Sequence, residues 1–232
     1  MSEKRKSAVA CASCDIPINK RVCIIEDGVG SKGCPTLTRE QILREAQKEY
    51  EDPEVREFAR QASIQEAEGY TVWDQHPDIK LPIKPRIVEI CEFAKKMGYK
   101  RLGLAFCGGL RKEVKIVEEI LEAHEFEVVS VICKAGRTPK KAIGIRDEET
   151  VFKGADESMC NPIYQAKLFN HEKTQFNILV GLCVGHDSLF FKYAEAPTTV
   201  LAAKDRVTGH NPLVAVYLHD SYYRKVKYPD IP

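Results

Sequence analysis

From Lys100 onward the chain alternates short, continuously apolar runs with stretches of helical period, and this alternation restricts the fold more than any other feature. The runs are Arg101-Leu-Gly-Leu-Ala-Phe-Cys107, Val128-Val-Ser-Val-Ile-Cys133, Phe176-Asn-Ile-Leu-Val-Gly-Leu-Cys183 and Thr199-Val-Leu-Ala-Ala203. A strand with one wet face alternates apolar and polar residues. Runs that are apolar throughout are covered on both faces, as parallel strands between helices are. The intervening helices are expected over 110–123, with Val114, Val117, Ile120 and Leu121 inward, after Asn161-Pro162, after the capping Asp187-Ser188, and over 212–219. The expectation for residues 86–232 is therefore an α/β domain of three layers with a mainly parallel, Rossmann-like sheet. Residues 134–158, rich in Gly and Lys, interrupt it as an irregular insertion.

The first half of the chain reads differently. Residues 1–37 have no apolar period and much Gly, Pro and Cys, so they form a cysteine-rich segment that cannot build a core of its own. Residues 38–85 read as a helical connector. Thr38-Arg-Glu-Gln41 matches a capping box for a helix over 39–50, Asp52-Pro53 opens another, and 69–85, with Gly69, Pro77, Pro82 and Pro85, reads as a loop. A helix over 86–97 carries Ile87, Ile90, Cys91 and Ala94 on one face and ends at Gly98.

Charge and hydropathy exclude several function classes. Thirty-five Lys and Arg against 34 Asp and Glu leave a formal charge of +1, without the basic excess of a nucleic-acid binder. No run approaches the roughly 18 apolar residues of a membrane span, and Ala8-Val9-Ala10 is too short for the core of an export signal, so the expected location is the cytoplasm. Nine cysteines, an odd number, then point to thiol or metal chemistry rather than to disulfides.

The cysteines fall into two groups. Cys11, Cys14, Cys23 and Cys34 follow the pattern C-x2-C-x8-C-x10-C. A C-x-x-C pair places two soft thiolates on one metal centre, and a second pair completes four-coordination. Four thiolates fit structural zinc and an iron–sulfur cluster equally, although Pro35 after Cys34 resembles the ending of ferredoxin motifs.

Cys107, Cys133 and Cys183 each stand at the carboxyl end of an expected parallel strand, where open α/β sheets bind ligands, and are candidates to hold a cofactor. Cys160, just ahead of an expected helix amino terminus, joins His186 and Lys134 as a candidate catalytic group. Lys204, Asp205, Arg206 and His210 lie on the same edge. Simple packing is the competing reading, since cysteine is a common core residue; Cys91 is assigned to packing outright. Cys107-Gly-Gly-Leu and Gly181-Leu-Cys-Val-Gly185, after two of the strands, both lack G-x-G-x-x-G, so a Rossmann dinucleotide site is unsupported.

Cys11-Ala-Ser-Cys14, Gly33-Cys34-Pro35, Met159-Cys-Asn-Pro-Ile163, Val180-Gly-Leu-Cys-Val-Gly-His-Asp-Ser-Leu-Phe-Phe191 and Lys204-Asp-Arg-Val-Thr-Gly-His-Asn-Pro212 together resemble the predicted metal-binding family catalogued as domain of unknown function 1847. The resemblance implies a metal-binding protein, largely of anaerobic archaea and bacteria, without naming a reaction. The anaerobic setting favours iron–sulfur, as [4Fe–4S], over zinc. The function expected is a cytosolic cysteine-ligated metalloprotein whose thiol-lined site acts on a small molecule by dehydration or desulfuration. The alternatives are a zinc-stapled, non-catalytic binding module, and a metal-free thiol enzyme using Cys160 or Cys183 beside His186 or Lys134.

Overall fold

A computed structural model describes residues 9–230; the first eight residues of the cysteine-rich segment and the last two residues of the chain lie outside it. The chain divides into two units, Met1–Ile64 and Gln65–Pro232.

The first unit begins with two 3-10 turns, Cys11–Ser13 and Ile18–Lys20. Arg21 ties them together, its guanidinium donating to the carbonyls of Ile16 at 2.7 Å and Cys14 at 3.0 Å. The chain then reverses onto itself, with the Val22 N–H donating to Val29 O and the Val29 N–H to Lys20 O. A Cβ at Gly28 would lie 2.4 Å from the Arg21 carbonyl carbon, so only glycine permits this approach. Helices α1 (Pro35–Thr38) and α2 (Glu40–Glu49) follow. The capping box expected at Thr38 is not formed. Thr38 ends α1 instead, and its hydroxyl donates back to Cys34 O at 2.8 Å. Asp52 does cap α3 (Pro53–Glu68), accepting from the N–H groups of Glu54 and Val55.

The last turn of α3 belongs to the second unit. Its Gln65 donates to Glu92 at 2.8 Å, while Lys96 donates to Gln65 at 2.6 Å and Glu68 at 2.7 Å. The segment expected to be a loop contains an antiparallel hairpin, β1 (Tyr70–Trp73) with β2 (His76–Pro82). Its prolines disguise it: each strand of a two-stranded ribbon has one open side, and an N–H missing there costs no ladder bond. Helix α4 (Arg86–Lys96) ends as expected, with Gly98 at φ +71°.

The sheet contains β3 (Arg101–Phe106), β4 (Glu127–Ile132), β5 (Phe176–Val180) and β6 (Thr198–Ala202) in the order β4-β3-β5-β6, and every pairing is parallel. Helices α5 (Arg111–Ala123), α6 (Pro162–His171) and α7 (His186–Tyr193) flank it, giving a Rossmann-like three-layer α/β fold. Leu102, Leu104, Ala105, Ile178 and Leu179 are all but fully buried, which accounts for their unbroken apolar runs. Phe169 and Phe190 meet edge to face at 5.8 Å in the same core. Two short helices, α8 (Leu213–Tyr217) and α9 (Arg224–Lys227), follow the sheet. The first is shorter than the expected 212–219.

Candidate functional site: a thiol crevice at the carboxyl edge of the sheet

The chain runs from β3 outward to β4, then returns to place β5 on the other side of β3. The strand order therefore reverses between β3 and β5, and at such a point the loops leaving neighbouring strands part to open a crevice. Cys107 directly follows β3, its N–H donating to Val180 O at 3.2 Å. Cys133 directly follows β4, its N–H donating to Phe106 O at 2.8 Å. Cys183 lies three residues past β5, after Gly181 turns the chain at φ +65°.

Cys160 reaches the same place from the insertion. The Met159 N–H donates to Thr138 O and the Asn161 N–H to Cys133 O, both at 2.8 Å, while the Asn161 side chain caps α6 by accepting from the Tyr164 N–H. Cys160 is thereby held between two anchored neighbours, with its sulfur 3.7 Å from that of Cys133. Cys107, Cys133, Cys160 and Cys183 line one cavity of about 790 Å³ together with His186, Lys134 and Arg206. Such a volume suits a small-molecule ligand.

The thiols are electrostatically graded. Cys107 is pushed up to about 12, first by its hydrogen bond with Cys133 and then by burial. For Cys133 the bond with Cys107 lowers the pKa, but the bond with Cys160 and burial outweigh it, and the net direction is upward. Cys160 is brought down to about 7 by its hydrogen bond with Cys133, with the Lys134 charge assisting and burial opposing. The row thus ends in one readily ionised sulfur. The Cys133 sulfur also accepts from the Gly108 N–H at 3.5 Å, and the Cys183 sulfur from Arg206 Nη2 at 3.1 Å. His186 opens α7, and burial followed by the Lys134 charge pushes it towards the neutral imidazole.

Of the other residues expected on this edge, Lys204 lies near Gly109, where an added Cβ would stand 3.5 Å from its Nζ. Asp205 and His210 brace their own loop. Asp205 accepts from the N–H groups of Val207 and Thr208, and its own N–H donates to His210 Nδ1 at 3.1 Å. Cys91 is completely buried in α4, as expected of a packing residue. The insertion supplies a wall that sequence reasoning missed, including Lys140, Ile143, Ile145, Val151, Phe152 and Glu157. Its 3-10 turns at Lys140–Ile143 and Asp147–Glu149 carry no apolar period to reveal them.

In the first unit, Cys11, Cys14, Cys23 and Cys34 line a separate small cavity of about 60 Å³. Gly30 closes over it, since a Cβ there would lie 3.1 Å from the Cys34 sulfur. The Cys14 thiol is lowered, chiefly by the Ile16 backbone N–H. Soft donors gathered at one spot fit a thiophilic metal. In neither place, among the described residues, are three or more His, Cys, Asp or Glu side chains already drawn together closely enough to hold a metal ion. Among the described residues, no helix is long and apolar enough to cross a membrane.

The family model described as a protein of unknown function (DUF1847) matches residues 34–201, a span containing all four crevice cysteines but only Cys34 of the amino-terminal set. An uncharacterized protein of Methanocaldococcus jannaschii is 40% identical over 215 residues, covering 93% of this chain and 96% of the relative. No solved structure matches the chain.

Proposed function

The chain belongs to the family described as a protein of unknown function (DUF1847), and with that as premise we propose that it is a cytoplasmic, cysteine-ligated metal-binding protein whose thiol crevice is its reactive site. One observation carries this reading: three strand-end cysteines and Cys160 line a single cavity at the switch point of the sheet. Packing alone would scatter thiols through the interior. Here Cys133 is buried, and Cys107, Cys160 and Cys183 are partly exposed at the edge of the core.

The favoured centre is an iron–sulfur cluster on Cys107, Cys133 and Cys183. Thiolates are its natural ligands, and the bare Gly108-Gly109 backbone leaves room beside them. A cluster held by only three thiolates supplies an open iron that acts as a Lewis acid. Around it, Cys160, His186 and Lys134 would bind the substrate and carry its protons, as lyase-type dehydration or desulfuration requires. In this reading Arg206 and Lys134 offset the negative charge of the thiolates. Cys11, Cys14, Cys23 and Cys34 would hold a second, structural centre, either iron–sulfur or zinc. The test is iron, zinc and acid-labile sulfide analysis of anaerobically prepared protein. Iron and sulfide together are expected; zinc alone, or no metal, overturns the iron–sulfur assignment.

A second reading rests on a specific observation, the 3.7 Å between the sulfurs of Cys133 and Cys160. In a metal-free protein such a pair is a thiol–disulfide exchange centre, with Cys160 attacking and Cys133 resolving.

A further inference from the structure

The crevice has two unlike walls. Its charged lining consists of Lys134, Lys140 and Arg206 against one carboxylate, Glu157. Glu157 is committed within the protein: it accepts from Lys140 and, at 2.5 Å, from the Phe152 N–H, and its side chain is only 13% exposed. Lys134 donates to the Ser158 carbonyl and Arg206 to the Cys183 sulfur. Among the described residues no carboxylate forms an ion pair with either, and both line the cavity. A three-thiolate [4Fe–4S] cluster carries about one net negative charge and would still leave a positive excess.

Another part of the lining is apolar and wet. Ile143, Val151 and Phe152 line the same cavity, yet they are 60%, 77% and 72% exposed. Large apolar side chains held in water beside a cavity gain from a ligand that covers them. Glu157 links the two walls, because the carboxylate that neutralises Lys140 also holds the backbone of Phe152 in place.

We infer that the crevice takes a small carboxylic acid with an apolar or aromatic tail, its carboxylate at Lys134 and Arg206 and its tail against Ile143, Val151 and Phe152. This inference rests on the reading of the crevice as the reactive site and adds the substrate class. Burial of the tail by the insertion would also exclude water from the thiols.

The test is calorimetric titration of the full-length, anaerobically prepared protein with 3-phenylpropionate, its neutral counterpart 3-phenylpropanol, and acetate. The acid should bind about tenfold or more tightly than either comparison, because only it engages both walls. Phe152→Ser, at an exposed position, should keep the thermal midpoint and weaken 3-phenylpropionate about tenfold while leaving acetate unchanged. Lys134→Met should weaken both acids and spare the alcohol. Equal affinity for acid and alcohol, no gain from the tail, or no binding by metal-loaded protein overturns the inference. Metal analysis of the same samples separates the two proposals: selective binding of the acid by protein that contains no metal removes the metal assignment and leaves this one standing.

Discussion

The main-chain N–H of Asn161 donates to the carbonyl of Cys133 at 2.8 Å, and across that bond the sulfurs of Cys160 and Cys133 stand 3.7 Å apart. An insertion without apolar period is thereby fixed to the end of the edge strand β4. The loop that carries Cys160 cannot shift without breaking a backbone bond or uncapping α6.

Replacing Asn161 tests this anchoring. The side chain caps α6 through the Tyr164 N–H at 3.0 Å, so Asn161→Ala should cost about 1 kcal/mol in urea unfolding, and Asn161→Asp should recover most of it. If the alanine variant unfolds at the same midpoint, the cap contributes nothing measurable.

In metal-free protein the pKa order of the thiols dictates their reactivity. Cys160 lies at about 7 and Cys107 at about 12, so within the crevice alkylation should strike Cys160 before Cys107. The rate at Cys160 should rise as pH increases through about 7 and fall below it, because the thiolate is the nucleophile. A small-molecule disulfide should be attacked by Cys160, releasing one thiol. Cys133 should then displace the second thiol and close a Cys133–Cys160 link. Mass mapping that finds Cys107 modified first, or no such link, would contradict the geometry.

The two sets of cysteines should lose metal independently. Cys14→Ser is expected to remove the amino-terminal centre and leave crevice metal in place, and Cys133→Ser the reverse. Identical metal content in both variants and the wild type would exclude ligation at either place.

Gly103 in β3 has no room for a methyl group. A Cβ there would lie 2.3 Å from Asn177 Oδ1 and 2.6 Å from Phe169. Gly103→Ala should therefore destabilise by about 1–3 kcal/mol through overpacking. A neutral result in denaturant titration would mean that Phe169 yields more readily than a packed core normally does.

The cluster joining α3 and α4 sets an acid limit on stability. Glu92 is held below the usual carboxylate range by its hydrogen bonds from Lys84 and Gln65, and Glu68 by that from Lys96. Because the folded-state values are depressed, this stabilisation is complete above the unfolded value of about 4.3 and disappears as pH falls further. The thermal midpoint should decline below that pH, and Glu92→Gln should flatten part of the decline. An unchanged slope would place the acid-sensitive groups elsewhere.

Much of this molecule is local information. The four apolar runs are legible as parallel strands, most plainly the central β3 and β5, where burial on both faces removes the polar alternation, and Gly98, Asn161 and Asp52 mark helix ends because their backbone chemistry acts within a few residues. The placement of Cys107 and Cys133 just past their strands follows from the same runs. Strand order does not, since it depends on contacts between distant segments. Only the tertiary structure sets β5 beside β3 rather than beyond β4, and so opens the crevice between Cys107 and Cys183. Likewise Val151 and Phe152 lie in a segment without period, and their place in the same cavity as Lys134 is fixed by long-range bonds such as Met159 to Thr138 and Glu157 to Lys140. Periodicity records which face of an element is buried, whereas the meeting of two walls is decided by the closure of the chain over many residues.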